Sequence, residues 1–159
     1  MRILGWYFER SDVLRILMRA GLLVLAASEA LVGLWALSAP RSFYSGFPFP
    51  GHPWVALLPP YNEHLVRDVG GLNLALTIAL GAAALTLDRT MIRTALLALA
   101  VFAIPHTIFH AGRLAGFPAT DALSQTVGTV LHLVLTVGLF ALTWWLPARS
   151  QPEPTPPVP

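Results

Sequence analysis

The sequence contains no cysteine and no lysine, and only 11% of its 159 residues are charged. Without cysteine the chain forms neither disulfides nor thiolate metal sites, so any bound metal would need histidine or carboxylate ligands. The scarcity of charge goes with 55% hydrophobic residues and a mean hydropathy of +0.65, which is too apolar for an ordinary soluble domain of this length. The composition therefore predicts an integral membrane protein.

Four apolar segments divide the chain, each about 19 to 24 residues long. At a rise of about 1.5 Å per residue, each of them is long enough to cross a hydrocarbon core of about 30 Å as an α-helix. The short connection between the second and third segments predicts an antiparallel helical hairpin, and the four segments together favour an all-α, antiparallel four-helix transmembrane bundle. The predicted segments are 16–37, 69–87, 91–109 and 123–146.

The ten basic residues are all arginine and most of them lie on one side of the predicted bundle. The positive-inside rule then predicts that both termini are cytoplasmic, in a multi-pass protein of the inner or plasma membrane. The net charge of +2 is explained by this topology, and the partner it implies is the lipid bilayer, with no nucleic acid. The predicted parts are an interfacial N-terminus (1–15), a membrane domain (16–146) and a tail (147–159).

Two segments are rich in proline. In residues 38–61 six prolines alternate with aromatic residues, which predicts an irregular loop lying in the outer interface and folding over the mouth of the bundle. The loop is interpreted either as an aromatic belt or as a lid or docking surface for another membrane protein. The tail, 147–159, is expected to be extended, and it is the second candidate contact for a membrane protein partner.

Helix ends are predicted from polar residues and breakers. Ser11 or Asp12 is expected to cap the first helix, Asp88 or Thr90 the third, and Thr120 or Asp121 the fourth.

One ionisable residue lies at a similar depth in each apolar segment: Glu29, Asp68, His106 and His132. Charged groups inside a membrane span are costly and usually serve ions, protons or cofactors, so these four side chains are expected to meet in the bundle interior. Two more histidines lie nearer the outer surface and are reserve members of the set. Charged residues still nearer the outer surface are expected to form a rim around the mouth of the bundle. The reserves are His64 and His110, and the rim residues are Glu63, Arg67 and Arg113, with Glu63 and Arg67 spaced for an ion pair.

Three interpretations of this layer stay open. Carboxylates and imidazoles could bind a transition metal or zinc, as other bundle interiors do. Alternatively, His132 and His106 or His110 could hold a b-type haem, although two carboxylates in the same layer disfavour a porphyrin. Finally, the network could only fix helix register, which fits a non-catalytic accessory or assembly subunit of a larger membrane complex.

Catalytic residues are not assigned by any motif in the sequence. His106 and His110 have the spacing of the HExxH zinc motif, but Thr107 stands where that motif has its glutamate, so the general base of a metalloprotease is missing. No nucleophile with a neighbouring base and no phosphate-binding loop is found. Whether the protein is an enzyme stays open.

The runs YNEHLVRDVGGLNLAL and PHTIFHAGRLAGFP resemble a group of small four-helix bacterial membrane proteins of uncharacterised function, with a layout similar to DoxX-like proteins. The resemblance covers 14–146. It implies a four-helix bundle and brings no activity with it. The residues it highlights are Asn62, Glu63, His64, Arg67, Asp68, His106 and His110.

Overall fold

Helices make up nearly all of the regular structure. The computed structural model of the protein describes residues 2–58 and 60–146, with side chains from residue 12 onwards. Within these residues there are five helices and one antiparallel ladder of two short strands. They are α1 (Arg2–Ser38), α2 (Pro40–Gly46), β1 (Pro48–Phe49), β2 (His52–Pro53), α3 (Glu63–Thr86), α4 (Arg89–Ala111) and α5 (Ala119–Leu142).

Four of the helices are long and apolar enough to cross a membrane. Their outer faces carry exposed aliphatic side chains such as Ile78, Leu85 and Val101, which suits contact with lipid tails. The prediction of an all-helical chain with four candidate spans is confirmed. The spans are Asp12–Ser38, Glu63–Thr86, Arg89–Ala111 and Ala119–Leu142.

α1 and α3 approach each other closely at two glycines. A Cβ atom on Gly70 would lie 2.7 Å from the backbone nitrogen of Leu37, and one on Gly33 would lie 2.9 Å from the side chain of Leu74. Neither position has room for a side chain. Small residues of this kind let two helix backbones pack directly in a membrane, where van der Waals contact drives association.

Aliphatic side chains fill the half of the bundle that contains the α3–α4 connection. We call it the packed half and define it by its fully buried members: Met18, Leu22, Leu25, Leu80, Ile92, Leu96 and Leu99. Arginines close its end, because Arg19 Nε donates to the carbonyl of Ala84 at 3.0 Å and Arg93 Nε donates to Thr143 Oγ1 at 2.9 Å. These bonds satisfy backbone and hydroxyl acceptors that lipid cannot.

Two of the predicted helix starts are wrong. α1 is continuous from Arg2, so Ser11 and Asp12 are not its cap; no proline interrupts the chain before Pro40. α5 begins directly after Pro118, with Asp121 buried inside its first turn instead of capping it. The predicted cap Asp88 is confirmed: its Oδ1 accepts a hydrogen bond from the Met91 amide at 2.8 Å.

The segment between α1 and α3 is more regular than predicted. Pro40 occupies the first turn of α2, where its missing amide costs no hydrogen bond, so the proline starts a helix where we expected none. β1 and β2 form a hairpin whose turn contains Gly51 at a φ of +90°, which favours glycine. The Phe47–Pro48 peptide is cis.

Some predictions fall outside the described residues. The tail 147–159 is one case, and the side chains of the interfacial residues 2–11 are another. What we expect of them stays a prediction.

Candidate functional site

A cavity of about 470 Å³ lies between the four long helices, under the segment formed by α2, the hairpin and the following turn (residues 40–58). We call this segment the cover segment. It contributes Phe43, Phe47, Trp54, Val55 and Leu58 to the wall. The helices contribute Ser28, Glu29, Val32, Leu65, Val66, Val69, Asn73, Phe102, Ala103, His106, Thr107, His110, Gln125, Gly128, Thr129 and His132.

The part of the wall nearest the cover segment is aromatic. The ring centroids of Phe43 and Phe47 lie 4.9 Å apart, and those of Phe47 and Trp54 lie 6.4 Å apart in an edge-to-face arrangement. These contacts hold the cover segment together as one aromatic unit. Phe102 of α4 adds a further ring to the wall.

Glu29 and His132 face each other across the interface of α1 and α5. Glu29 is only 3% exposed, and its Oε1 lies 3.3 Å from His132 Nε2. The distance is that of an ion pair, but the two atoms do not meet in hydrogen-bond geometry, because His132 Nε2 has no such partner. A carboxyl group is thus held deep inside a span with an incomplete set of partners.

His106 and His110 lie one turn apart on α4, and both line the cavity. Their ring centroids are 4.4 Å apart, and the His106 ring stacks on Phe102 at 5.0 Å. Packing of the two imidazoles against each other and against Phe102 fixes their position on the wall. Arg113 lies elsewhere, with its guanidinium 3.9 Å from the centroid of Phe109.

Five buried side-chain atoms in the described part of the chain have no partner in hydrogen-bond geometry, although the side chains of His110 and Gln125 lie within reach of each other. They divide into acceptors and groups that can donate. All five belong to residues of the cavity wall, and none belongs to the packed half. The atoms are Glu29 Oε2, Gln125 Oε1, Trp54 Nε1, His110 Nδ1 and His132 Nε2.

The predicted layer of four ionisable residues is not present as such. Glu29, His106 and His132 line one cavity together with the reserve residue His110, but Asp68 does not. Asp68 is 58% exposed and its Oδ2 lies 3.3 Å from His64 Nε2, which is exposed as well. On α3 the cavity is lined by Leu65, Val69 and Asn73, and Asp68 is rotated away from that face.

The predicted rim pair is present at the start of α3. Arg67 Nη2 lies 2.8 Å from Glu63 Oε1, and Arg67 Nη1 donates to the backbone carbonyl of Leu37 at 2.5 Å. This second bond satisfies a carbonyl in the last turn of α1. Arg67 therefore ties the ends of α1 and α3 together outside the cavity.

Sequence reasoning missed several residues around the site. Gln125 is 3% exposed and lies two turns before His132 on α5, a spacing that could have revealed it. Asp121 was expected to be a cap, but its Oδ1 lies 2.6 Å from His52 Nδ1. This contact joins the hairpin to α5. No pattern in the sequence pairs these two residues, because they are distant along the chain.

The polar groups of the wall are not arranged as a preformed metal site. Over residues 2–58 and 60–146, no group of three or more histidine, aspartate or glutamate side chains is placed to hold a metal ion. No family model, curated protein or solved structure matches the chain. The lining residues offer hydrogen-bonding groups, one carboxyl group, three imidazoles and a large apolar surface.

Proposed function

We propose that this protein is a multi-pass membrane protein that binds an amphiphilic small molecule in the cavity under the cover segment. The observation that carries the proposal is that the five buried polar atoms without a partner all belong to the cavity wall. More than about nine in ten buried polar groups in proteins are hydrogen-bonded, so five exceptions at one cavity point to a ligand that completes them.

The size and composition of the cavity fit such a ligand. Its volume of about 470 Å³ falls in the range of about 300–1,000 Å³ that is usual for small-molecule sites. Aromatic and aliphatic side chains form most of the wall, and the polar groups are few and buried. A ligand with an apolar chain and one polar end matches a wall that is mostly apolar with a few buried polar groups.

Three apolar residues of the cavity wall have exposed surface. Leu65 and Val69 line the cavity and are both exposed, and they lie within the span of α3. Gly128 of α5 is exposed on the wall too. Exposed apolar residues on the wall favour entry of an apolar ligand chain from the bilayer, near its outer interface.

The proposed topology is an antiparallel bundle with both termini cytoplasmic, in the cell membrane. Two contacts support the antiparallel order of α1 and α3: Leu37 lies beside Gly70, and Arg19 lies beside Ala84. Arginine is concentrated before α1 and between α3 and α4, which supports the orientation. In this topology the cover segment is outside the cell and the cavity opens to the outer leaflet.

Two glycines of α5 allow a controlled test. A Cβ on Gly128 or Gly138 would have open space around it, but only Gly128 lines the cavity. We expect Gly128→Trp to fill the cavity and Gly138→Trp to leave it free. Thermal unfolding in phosphatidylcholine nanodiscs, with dodecylamine, dodecanol and dodecanoate as probes, measures the binding. Stabilisation by a probe should be present in the wild type and in Gly138→Trp but absent in Gly128→Trp. If no probe shows this pattern, the proposed function is wrong.

Metal binding is the second proposal. It is favoured by two observations: Glu29 and His132 are paired, and His106 and His110 lie on the wall of the same cavity. Zinc or a transition metal accepts such ligands. Metal analysis of the purified protein tests this. Stoichiometric metal that is lost in His106→Ala would support it, and no metal in the wild type would overturn it.

Two further hypotheses rank below these. A b-type haem would share the cavity with the carboxyl group of Glu29, and visible absorption without a Soret band would reject it. An accessory subunit would use the cover segment for docking, but Phe43, Phe47 and Trp54 of that segment line the cavity of their own chain. The resemblance to DoxX-like proteins stays a prediction.

A further inference from the structure

We infer that the ligand of the cavity is an amphiphilic amine, whose ammonium group is bound by the carboxylate of Glu29. This inference rests on the proposed function and names the chemical class of its ligand. The charged groups on the cavity wall support it. Glu29 is the one carboxyl group among the lining residues of the described chain, and no arginine lies among them.

An anionic headgroup does not suit this wall. A carboxylate or phosphate on the ligand would face the Glu29 carboxyl group, and only imidazoles would be present to offset the repulsion. An imidazole with an ordinary pKa of about 6.5 carries little charge at neutral pH. Arginine, the usual partner of buried anions, is absent from the described wall.

A cation, in contrast, completes the site. An ionised carboxylate buried in a membrane span is costly unless a positive group pairs with it. Glu29 is 3% exposed, and its closest charged partner is an imidazole at 3.3 Å that does not form a hydrogen bond. An ammonium ion beside it would leave the pair neutral as a whole.

The hydrogen-bonding groups of the wall also favour a cationic ligand. An ammonium group is a donor only, with up to three N–H bonds. Glu29 Oε2 is a buried acceptor without a partner. Gln125 Oε1 is a second buried acceptor, and it lies near the His110 imidazole without meeting it in hydrogen-bond geometry. An ammonium group supplies the kind of donor that these acceptors lack.

The aromatic wall suits both ends of the ligand. Phe43, Phe47, Trp54 and Phe102 all line the cavity. Their ring faces attract a cation within about 6 Å, and they also offer apolar contact to an alkyl chain. Trp54 Nε1, an unpartnered donor, would be completed by an oxygen atom on the same ligand.

The test compares three probes with the same chain and different headgroups: dodecylamine, dodecanol and dodecanoate. Their dissociation constants are measured for the full chain in phosphatidylcholine nanodiscs. We expect the wild type to bind the amine at least about tenfold more tightly than the alcohol, and the carboxylate most weakly. Glu29→Gln should abolish the preference. Asp68→Asn, which removes a carboxylate outside the cavity, should keep it.

The outcomes separate this inference from the proposed function. If the alcohol or the carboxylate binds as well as the amine, and Gly128→Trp abolishes that binding, the ligand class is wrong and the proposed function stands. If the amine binds equally to the wild type and to Glu29→Gln, the inference is overturned. If no probe shows binding that Gly128→Trp removes, both are overturned. The wild-type comparison of the three probes does not depend on the folding of any variant.

Discussion

The two halves of the bundle differ in how completely their buried groups are satisfied. In the packed half, Leu22, Leu80 and Leu99 are fully buried in an aliphatic core. In the half under the cover segment, Glu29 and Gln125 are almost equally buried, but each keeps an oxygen without a partner. Among the described residues, the buried polar atoms without a partner therefore belong to one half, as expected if one half folds the protein and the other binds.

Two glycines, Gly21 in the packed half and Gly128 on the cavity wall, differ in the space around them. A Cβ on Gly21 would lie 2.7 Å from the side chain of Leu139, whereas one on Gly128 would meet nothing within 4 Å. The close contacts of Gly33 and Gly70 lie at the level of the cavity, so tight helix packing is found in both halves and frames the open cavity. The comparison can be tested with substitutions in each half.

The largest effect is expected in the packed half. Leu80 is fully buried, and Leu80→Ala should lower the free energy of unfolding by about 2–5 kcal/mol because it leaves a void in the core. Leu85→Ala, at an exposed position of the same helix, should cost far less. Reversible unfolding in mixed micelles measures both. Equal costs at the two positions would contradict the assignment of the core.

Substitution at the contact between α1 and α3 should lower the free energy of unfolding by nearly as much. Gly70→Ala places its Cβ against the Leu37 backbone and should destabilise the protein by about 1–3 kcal/mol, as overpacking does. The neighbouring Gly71 has open space, so Gly71→Ala should be neutral or slightly stabilising. The same unfolding measurement applies. A loss of stability in Gly71→Ala, with none in Gly70→Ala, would mean that α3 is rotated.

In the cavity half, we expect a substitution of a buried residue to raise the free energy of unfolding instead of lowering it. Glu29→Gln removes a buried, incompletely paired carboxyl group, and we expect it to raise the free energy of unfolding by about 0.5–2 kcal/mol, as changes at strained functional sites often do. Unfolding without added ligand measures this. A large loss of stability would show that Glu29 has a structural role and would weaken the contrast between the halves.

The smallest effect concerns the contact that fastens the hairpin to α5. His52 Nδ1 lies 2.6 Å from Asp121 Oδ1, and His52 is partly exposed, so we expect a coupling energy of about 1 kcal/mol or less. A double-mutant cycle with His52→Ala and Asp121→Asn measures it. The exposed pair of Glu63 and Arg67 provides the reference and should couple more weakly. A larger coupling in the reference pair would contradict the role of His52.

The long helices could be predicted from the sequence, because their length and apolar composition alone decide whether they can cross a membrane. Which residues of each helix face the bundle interior could not be predicted from the sequence. In a membrane bundle both the interior and the lipid side are apolar, so the periodicity that marks the buried face of a soluble helix is weak. For that reason Asp68 was expected beside Glu29, whereas it pairs with His64 on an exposed face.

The position of the cover segment over the cavity depends on tertiary contacts that local sequence patterns do not predict. Glu29, His106 and His132 were singled out by their similar depth and His110 as a reserve nearer the outer surface, and all four line one cavity, whereas Asp68 of the same predicted layer does not. The cover segment was expected to lack helix, because proline was treated only as a breaker, but Pro40 begins α2. Its pairing with α5 through His52 and Asp121 is a tertiary contact without a local signal.

The central claim is that the unpartnered groups of the cavity bind an amphiphilic molecule, and native mass spectrometry tests it most directly. The protein is released from membranes of its expression host as wild type, Gly128→Trp and Gly138→Trp. We expect an added small-molecule mass on the wild type and on Gly138→Trp, and none on Gly128→Trp. An identical pattern of bound masses for all three proteins would contradict the claim.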